Sequence, residues 1–196
     1  IWIGHLNGLD RLHRSDTTFS HYRKRGKDPT LKHGFQGISV NTIYLDGSDS
    51  LWIGTQGDGL ALYNRKQDTF QHFRYIRDDP TSIGDNNVFV IAEDSSSNLW
   101  VGTEYGGLHR YHHESESFSQ YRYSSTDETS IFDDSIESFT DDGRGTIWIG
   151  TYSAGVNYFH TTGEKFTLYQ ADGTRNSLSS SNIISIYEDA DSTMWL

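Results

Sequence analysis

The chain repeats one pattern four times, and a fifth copy begins near its end. Its five tryptophans follow one another at intervals of 50, 48, 48 and 47 residues, and they are Trp2, Trp52, Trp100, Trp148 and Trp195. Self-similarity with a period of about 20–50 residues is typical of repeat architectures, in which each unit buries its surface against its neighbours. The spacing therefore predicts a fold built from equivalent units.

Glycines and aromatic residues recur at fixed distances from each tryptophan. One glycine comes two positions after the tryptophan, a second precedes the next apolar segment, and a Phe-x-x-Tyr or Phe-x-x-Phe pair follows. We expect the first glycine to allow close packing and the second to permit a tight turn with positive φ. The aromatic residues supply apolar area between units. The repeated residues with an expected structural role are Trp2, Trp52, Trp100, Trp148, Gly54, Gly102, Gly150, Gly59, Gly107 and Gly155.

Each unit reads as four short strands. In the third copy, Asn87–Asp94 forms an apolar run that we expect to be buried on both faces. The polar turn "SSSN", the strand "LWVGT", a strand after the second glycine and a strand with the aromatic pair follow. An aspartate precedes each of the last four tryptophans by six residues, which indicates a turn-capping role. The sequence lacks a convincing long amphipathic helix and predicts an all-β protein.

Four antiparallel strands in about 48 residues are typical of one blade of a β-propeller. We therefore expect residues 1–196 to form a partial propeller with about four blades. The expected repeats are 1–46, 47–94, 95–142 and 143–189, with a fifth starting at 190–196. The first repeat lacks its innermost strand, and a spare strand at Ile183–Asp189 could complete it within one chain or between two. We favour an open arc of a larger propeller, and we interpret the chain as a piece of a longer polypeptide.

Composition narrows the functional classes. The net charge of −11 and the pI near 5.1 argue against a nucleic-acid-binding module and against binding to anionic membrane surfaces. Cysteine is absent, so disulfides and thiolate metal sites are excluded. No apolar run in the sequence is long enough to cross a bilayer.

The repeats resemble the two-component regulator propeller repeat. The resemblance rests on an "I-x-E-D" strand, a polar turn, "LWIGT", "GGL", "F-x-x-Y" and "D-P-T-S-I" before the next unit. It covers essentially the whole chain and is strongest in 87–121 and 135–169. The first repeat departs from it, with His5 in place of threonine, Leu45 in place of an acid and the basic linker 23–37. WD40 repeats fit less well because the tryptophan is followed by Ile/Val-Gly rather than by Asp. Kelch repeats fit less well because the double glycine follows the tryptophan instead of preceding it.

The resemblance implies a sensor. Such repeats usually form seven-bladed propellers on the outer side of the inner membrane, in receptors that pair and carry a histidine kinase or diguanylate cyclase output. The chain is therefore expected to lie in the periplasm or outside the cell, without direct membrane contact, in a homodimeric receptor. A small molecule or oligosaccharide is the implied ligand, and no cofactor is implied.

Two sets of loops would meet at one mouth of the central channel. They join strands two and three of each blade, and strand four to the next blade. Their acids, amides and tyrosines suit saccharides, whose hydroxyls bind carboxylates and amides and whose ring faces stack on tyrosine. The alternative is that they are ordinary turn residues. The candidates are His5, Asn7, Asp58, Glu104, Tyr105 and Tyr152 in the first set, and Asp78, Asp79, Asp133, Asp134, Arg175 and Asn176 in the second.

Metal binding and catalysis are less favoured by the sequence. His109, His112 and His113 alternate in direction along a strand, so three ligands on one metal are awkward. Carboxylate pairs are frequent, but the aspartate before each tryptophan recurs in every repeat, unlike a single active site. We expect neither a metal nor enzymatic activity in this segment. A protein-interaction propeller without signalling, and a propeller polysaccharide lyase or hydrolase, are the alternatives to a sensor.

Overall fold

The protein is all-β in the computed structural model, which describes residues 1–23, Phe35 and 39–196. Most of the basic linker 23–37 lies outside the described residues. All the strands form antiparallel pairs with their neighbours. They are β1 (Trp2–His5), β2 (Gly8–His13), β3 (Thr18–Tyr22), β4 (Ser39–Leu45), β5 (Leu51–Gln56), β6 (Leu60–Asn64), β7 (Thr69–Phe73), β8 (Val88–Glu93), β9 (Leu99–Thr103), β10 (Leu108–His112), β11 (Ser117–Tyr121), β12 (Ile136–Asp141), β13 (Thr146–Thr151), β14 (Val156–His160), β15 (Gly163–Tyr169), β16 (Tyr187–Glu188) and β17 (Met194–Trp195).

The strands form separate sheets in chain order. Blade 1 contains β1–β3, blade 2 β4–β7, blade 3 β8–β11 and blade 4 β12–β15, while β16 and β17 form a two-stranded sheet. The predicted all-β fold with four-stranded antiparallel blades is confirmed. Three of the described blades have four strands, and blade 1 has three because its sheet starts at the tryptophan strand.

The sheets fan out from their first strands. β1 lies against β4, β4 against β8, and β8 against β12. The contacts run between successive blades, so the described sheets form an open arc and do not close into a ring. The predicted spare strand at Ile183–Asp189 is shorter than expected, since only Tyr187 and Glu188 are paired. In blade 4 the corresponding residues Ile136 and Ser138 pair with Thr151 and Gly150.

Burial is concentrated in the tryptophan strand rather than in the first strand. All five residues of β9 are buried, whereas only Val88 and Ile91 are buried in β8. The expectation that the first strand is buried on both faces was therefore wrong. The physical reason is its position: β8 is an edge strand of its sheet, whereas β9 has a strand on each side.

The tryptophans join neighbouring blades. Trp52 lies 5.0 Å from Tyr111 of the next blade between ring centroids, and Trp100 lies 5.4 Å from Phe159. Both tryptophans are nearly inaccessible to solvent. Edge-to-face and tilted ring pairs of this kind add to the free energy gained by burying apolar area. They explain why the aromatic positions repeat with the blade.

The aspartate before the tryptophan strand caps the turn, as its recurrence indicates. Asp94 accepts hydrogen bonds from the backbone N–H groups of Ser96 and Asn98, both at 2.9 Å, and from Trp100 Nε1 at 2.9 Å. Burial alone would raise the pKa of Asp94, but the bonds from Trp100 and Asn98 outweigh it and hold that pKa below its usual value. Asp46 and Asp189 bind their tryptophans in the same way.

The glycine before the third strand adopts a conformation that side chains disfavour. Gly107 has a φ of +83°, and a Cβ added there would collide with the carbonyl oxygen of Tyr121. The glycine of the tryptophan strand is constrained by packing instead. A Cβ on Gly54 would lie 2.5 Å from Thr42 Cγ2 and 2.7 Å from Val88 Cγ1. The two glycines of each repeat thus have different physical roles.

The linkers into blades 3 and 4 are each fixed to the third strand of the blade that they enter. The N–H of Gly84 donates to His109 Nε2 at 2.8 Å, and the N–H of Phe132 donates to Asn157 Oδ1 at 2.9 Å. Burial lowers the pKa of His109 to about 4, so the ring is neutral at physiological pH and can accept this bond. His109 therefore has a structural role.

Candidate functional site

The two sets of loops predicted to share one mouth lie together. The N–H of Gly57 donates to the carbonyl oxygen of Asn86 at 3.1 Å, and that of Tyr152 donates to Ser135 at the same distance. In each case a loop between the second and third strands is held by the linker that leads into the first strand of a blade. The candidates in these two loops therefore lie on one face, at the ends where the linkers enter the first strands.

A cavity of about 540 Å³ opens on this face at the junction of blades 3 and 4. Five predicted candidates and three residues that were not predicted line it. The predicted ones are Glu104, Tyr105, Asp133, Asp134 and Tyr152, and the others are Phe89, Ser135 and Glu137. The volume is within the range of small-molecule sites. The cavity therefore brings aromatic rings and carboxylates together in a space that can hold a ligand.

The aromatic side of the cavity is open to solvent. Tyr105 is 64% exposed and Tyr152 is 59% exposed, whereas Phe89 is half-buried. Exposed tyrosine rings offer an apolar face for stacking and a hydroxyl for hydrogen bonding. Such an arrangement suits a flat or ring-shaped ligand with polar edges.

Three carboxylates of the cavity are held by neighbouring groups. Glu104 Oε2 accepts a hydrogen bond from Asn87 Nδ2 at 2.7 Å. Asp133 Oδ2 accepts one from the hydroxyl of Ser153 at 2.7 Å, and Asp134 Oδ2 lies 3.1 Å from the Arg122 guanidinium. These contacts fix the positions of the carboxylates. Only Asp134 among them has its charge balanced by a cation in the described contacts.

Glu137 is the carboxylate with the fewest constraints. Its described hydrogen bond is a long one, 3.4 Å from the Ser135 hydroxyl to Oε1. Burial raises the pKa of Glu137, the Ser135 bond partly offsets this, and the negative charges of Glu104 and Asp133 raise it further. The local potential is therefore negative, and a positive or hydrogen-bond-donating group would relieve it.

Phe89 and Glu137 reach the cavity because their strands bulge. The pairing of β8 with β9 shifts register between Val88 and Val90, and that of β12 with β13 shifts between Ile136 and Ser138. The extra residue of a bulge is unpaired, and its side chain is aimed differently from its neighbours. The sequence holds a signal for this position. Apolar residues 40, 88, 136 and 183 repeat at the start of the first strand, but the residues that follow them differ: Asn41, Phe89, Glu137 and Ile184.

The blade 2 candidates are engaged in local structure. Asp58 Oδ1 accepts a hydrogen bond from Arg74 Nε at 2.8 Å, and His72 Nδ1 lies 3.2 Å from its other oxygen. Asp79 accepts bonds from the backbone and hydroxyl of Thr81, and Asp78 adopts a φ of +63°. The structure does not bring these aspartates to the cavity.

The remaining candidates lie at the two ends of the arc. His5 Nδ1 accepts a hydrogen bond from the Asn7 N–H at 3.1 Å, and His5 Nε2 lies 3.5 Å from Asp10. Arg175 and Asn176 are exposed in the linker after blade 4. None of these four lines the cavity between blades 3 and 4.

Asn176 lines a second cavity of about 580 Å³ beside Trp148. The rings nearest Trp148 are Tyr158 and Tyr169 of its own blade, at 4.9 and 6.3 Å. At the preceding junctions the tryptophan packs on an aromatic ring of the next blade, as Trp52 packs on Tyr111. We therefore interpret the second cavity as part of a junction between blades, not as a ligand site.

Metal-binding clusters and membrane-spanning helices are both absent from the described part of the chain. No cluster of three or more histidine, aspartate or glutamate side chains there has a metal-binding arrangement. Residues 1–23, 35 and 39–196 contain no helix with the length and apolar character needed to cross a bilayer.

The family comparison matches the linker into blade 3 and the first two strands of that blade. Residues 82–105 match the model described as "Two component regulator propeller". One segment of the chain therefore matches this family. The matched segment includes Phe89, Glu104 and Tyr105 of the cavity as well as Trp100 of the framework. A comparison with curated protein sequences finds no match.

Solved structures with this architecture include extracellular domains assigned to two component systems. The chain is similar to the extracellular domain of a protein assigned to the hybrid two component systems of B. thetaiotaomicron, with 23% identity and a TM-score of 0.79, covering 99% of this chain and 25% of that one. A second such domain from the same organism gives 24% identity and a TM-score of 0.75, covering 99% and 24%. The chain thus spans about a quarter of the length of these proteins.

An enzyme has a similar fold. Virginiamycin B lyase from Staphylococcus aureus gives 12% identity and a TM-score of 0.63, covering 97% of this chain and 56% of that one. At these levels of identity, the structural likenesses show the propeller fold alone.

Proposed function

We propose that this chain is a ligand-sensing propeller segment of a bacterial membrane-anchored receptor in two-component signalling. The proposal is supported by the repeat match at residues 82–105 and by the likeness to two extracellular domains assigned to hybrid two component systems. The segment would lie in the periplasm or outside the cell. The likeness to virginiamycin B lyase extends to the fold and gives no specific support to a catalytic role.

The observation that carries the proposal is the cavity between blades 3 and 4. It combines exposed Tyr105 and Tyr152 with hydrogen-bonding carboxylates in about 540 Å³. Saccharides fit this chemistry because their ring faces stack on aromatic side chains while their hydroxyls donate to carboxylates. An oligosaccharide fragment is therefore the proposed ligand class.

Sensing would work as a shift of populations. A ligand that prefers one arrangement of two paired propellers stabilises that arrangement by its difference in binding free energy. The proposed receptor is a homodimer whose membrane segments transmit this preference to a cytoplasmic output domain. Phe89 and Glu137 lie on the first strands, which contact each other between blades. Ligand contacts there could therefore bias how neighbouring blades pack.

Calorimetry with a panel of neutral oligosaccharides tests the proposal. The double variant Tyr105→Ala/Tyr152→Ala is expected to weaken binding by about tenfold or more, since stacking area is lost. Tyr75→Ala is the matched control, because Tyr75 is also an exposed tyrosine of this face but does not line the cavity.

Three results would contradict the proposal in different ways. Failure of the whole panel to bind, or equal losses in both variants, removes the cavity as a saccharide site. Cleavage of a panel member would instead support the lyase or hydrolase alternative. Binding without any response of the full-length receptor's output would favour an interaction propeller.

A further inference from the structure

The bulged residues of the first strands occupy a special position in the repeat. Glu137 and Phe89 are the extra residues in β12 and β8, and both line the cavity between blades 3 and 4. Their neighbours Ile136 and Val88 are fully buried at the junctions between blades. The bulge therefore separates a framework residue from one that can vary without disturbing the packing.

The same position in blade 2 is used differently. Asn41 is the extra residue between Val40 and Thr42, and its side-chain amide donates to the carbonyl oxygen of Val88 at 3.1 Å. Asn41 thus binds the next blade. Glu137 makes no such bond to backbone in the described contacts, and Phe89 offers a ring instead.

The charge balance at Glu137 favours a positive group. No lysine, arginine or histidine is paired with Glu137 in the described ion pairs, and the nearby Arg122 is engaged by Asp134 and by the carbonyl oxygen of Tyr105, both at 3.1 Å. An ammonium group close to aromatic faces gains both charge-assisted hydrogen bonds and cation–π attraction. The cavity offers three aromatic rings for the second interaction: Phe89, Tyr105 and Tyr152.

We propose that the bulged pair Phe89 and Glu137 determines ligand specificity, and that it selects a saccharide with a free amino group over neutral and acidic saccharides. Phe89 contributes stacking that does not depend on ligand charge. Glu137 contributes the preference for the ammonium group and the repulsion of a carboxylate. This inference rests on the proposed function, because it assigns the ligand class of the same cavity.

Three matched disaccharides test the inference: the β-1,4-linked dimers of glucosamine, glucose and glucuronic acid. Calorimetry at about pH 6, where an amino group is largely protonated, is expected to give affinities in that order. Glu137→Gln should weaken the glucosamine dimer about tenfold and the glucose dimer less than about twofold, because a neutral ligand loses no ion pair. Phe89→Ala should weaken the glucosamine and glucose dimers by similar factors.

Glu128→Gln is the matched control. It removes the same charge from an exposed residue that does not line the cavity, so the order and affinities should be unchanged. Urea unfolding of each variant separates loss of binding from loss of folding.

Several results would overturn the inference. They are equal affinities for the three dimers, an unchanged preference in Glu137→Gln, or no binding of the glucosamine dimer. The proposed function would survive these results if a neutral oligosaccharide binds with dependence on Tyr105 and Tyr152. It would fall separately if none does.

Discussion

The loops between the second and third strands of blades 2 and 3 occupy equivalent positions in the repeat but carry different side chains. In blade 2, Arg74 at the end of β7 pairs with Asp58 of the loop between the second and third strands, at 2.8 Å. In blade 3 the position of Asp58 is Gly106, and Arg122, the equivalent of Arg74, reaches Asp134 of the following linker instead. The blade 2 loop is thus bound through the side chain of Asp58, whereas in the blade 3 loop Arg122 binds the backbone carbonyl of Tyr105 and the side chains of Glu104 and Tyr105 line a cavity.

This difference shows how a repeat protein can acquire a site. The framework residues recur because every blade must pack on the next, so each junction between blades needs its own copy of them. Residues in loops and at bulges are not needed for this packing and can differ from blade to blade. Positions that vary within an otherwise regular repeat are therefore the places to search for function.

A second comparison concerns the tryptophans themselves. Trp100 is 2% exposed, binds Asp94 and packs on rings of its own and the next blade. Trp148 is half-buried, and its Nε1 has no hydrogen-bond partner among the described residues. The same residue type in the same register thus has two environments, which the following variants can distinguish.

The largest expected effect is the loss of Trp100. Trp100→Ala should lower the free energy of unfolding by about 3–5 kcal/mol, because a large buried side chain is removed from the junction of blades 3 and 4. Trp148→Ala should cost about 2 kcal/mol less, because less buried area and no hydrogen bond are lost. Urea unfolding followed by circular dichroism measures both. Equal losses would mean that the two tryptophans have the same environment in solution.

Loss of the capping aspartate should also lower the free energy of unfolding more for Asp94 than for Asp142, by smaller amounts than loss of the tryptophans. Asp94→Ala leaves the N–H groups of Ser96, Asn98 and Trp100 without their acceptor, and we expect a loss of about 2–3 kcal/mol. Asp142→Ala should cost about 1 kcal/mol less, since Asp142 caps its turn through Arg144 and Thr146 but does not bind Trp148. A larger loss for Asp142→Ala in the same urea assay would contradict the comparison.

Acid should weaken the capped turns. The pKa values of Asp46, Asp94 and Asp142 are lowered in the folded protein: burial opposes this, but the hydrogen bonds of each turn outweigh burial. A carboxyl whose folded pKa is depressed stabilises the fold above its unfolded pKa, near 3.9, and loses that contribution as pH falls through the folded value. Stability should therefore decline below about pH 4.

Asp94→Asn provides the test of that cause. The variant should be less stable than the parent at neutral pH and should lose less on acidification. Urea unfolding midpoints between neutral pH and about pH 3 measure both slopes. Parallel slopes would show that Asp94 does not contribute to the acid sensitivity.

Much of this fold is predictable from the sequence because its determinants repeat. The spacing of Trp52 and Trp100 predicts the length of one blade, and the second glycine predicts the turn before the third strand. Glu104, Tyr105 and Tyr152 are also accessible to prediction, since they occupy loops whose face follows from the strand order. Whether they bind a ligand stays a prediction.

Other features depend on contacts that one repeat does not reveal. Phe89 and Glu137 reach the cavity only because the ladder skips a residue, which alternation of apolar and polar residues does not show. His109 in "HRYHH" is interpreted from the sequence only as a metal ligand that is not favoured, yet it is buried under a linker that comes from the preceding blade. The burial of the first strand was overestimated because its position at the edge of the sheet is a tertiary property.

The smallest expected effect concerns the bulge residues Asn41 of blade 2 and Glu137 of blade 4. The pKa of Glu137 is raised by burial and by Glu104 and Asp133, so the ionised carboxylate is less favourable in the folded protein than in the unfolded chain. Such a group gives its full contribution below the unfolded pKa and loses it as pH rises through the folded value. Glu137→Gln should therefore raise stability at neutral pH, by less than about 0.5 kcal/mol, and the gain should vanish near pH 4.

Asn41→Ala should have the opposite sign. Asn41 donates to Val88 of the next blade, so its loss should lower stability by about 0.5–1 kcal/mol at either pH. Urea midpoints of both variants at neutral pH and near pH 4 complete the comparison. A stabilised Asn41→Ala or a destabilised Glu137→Gln would mean that the bulge residues have the same structural duty in both blades. The expected opposite signs would instead identify Glu137 as a residue that lowers the stability of the fold. Such a loss of stability is common for side chains retained for binding.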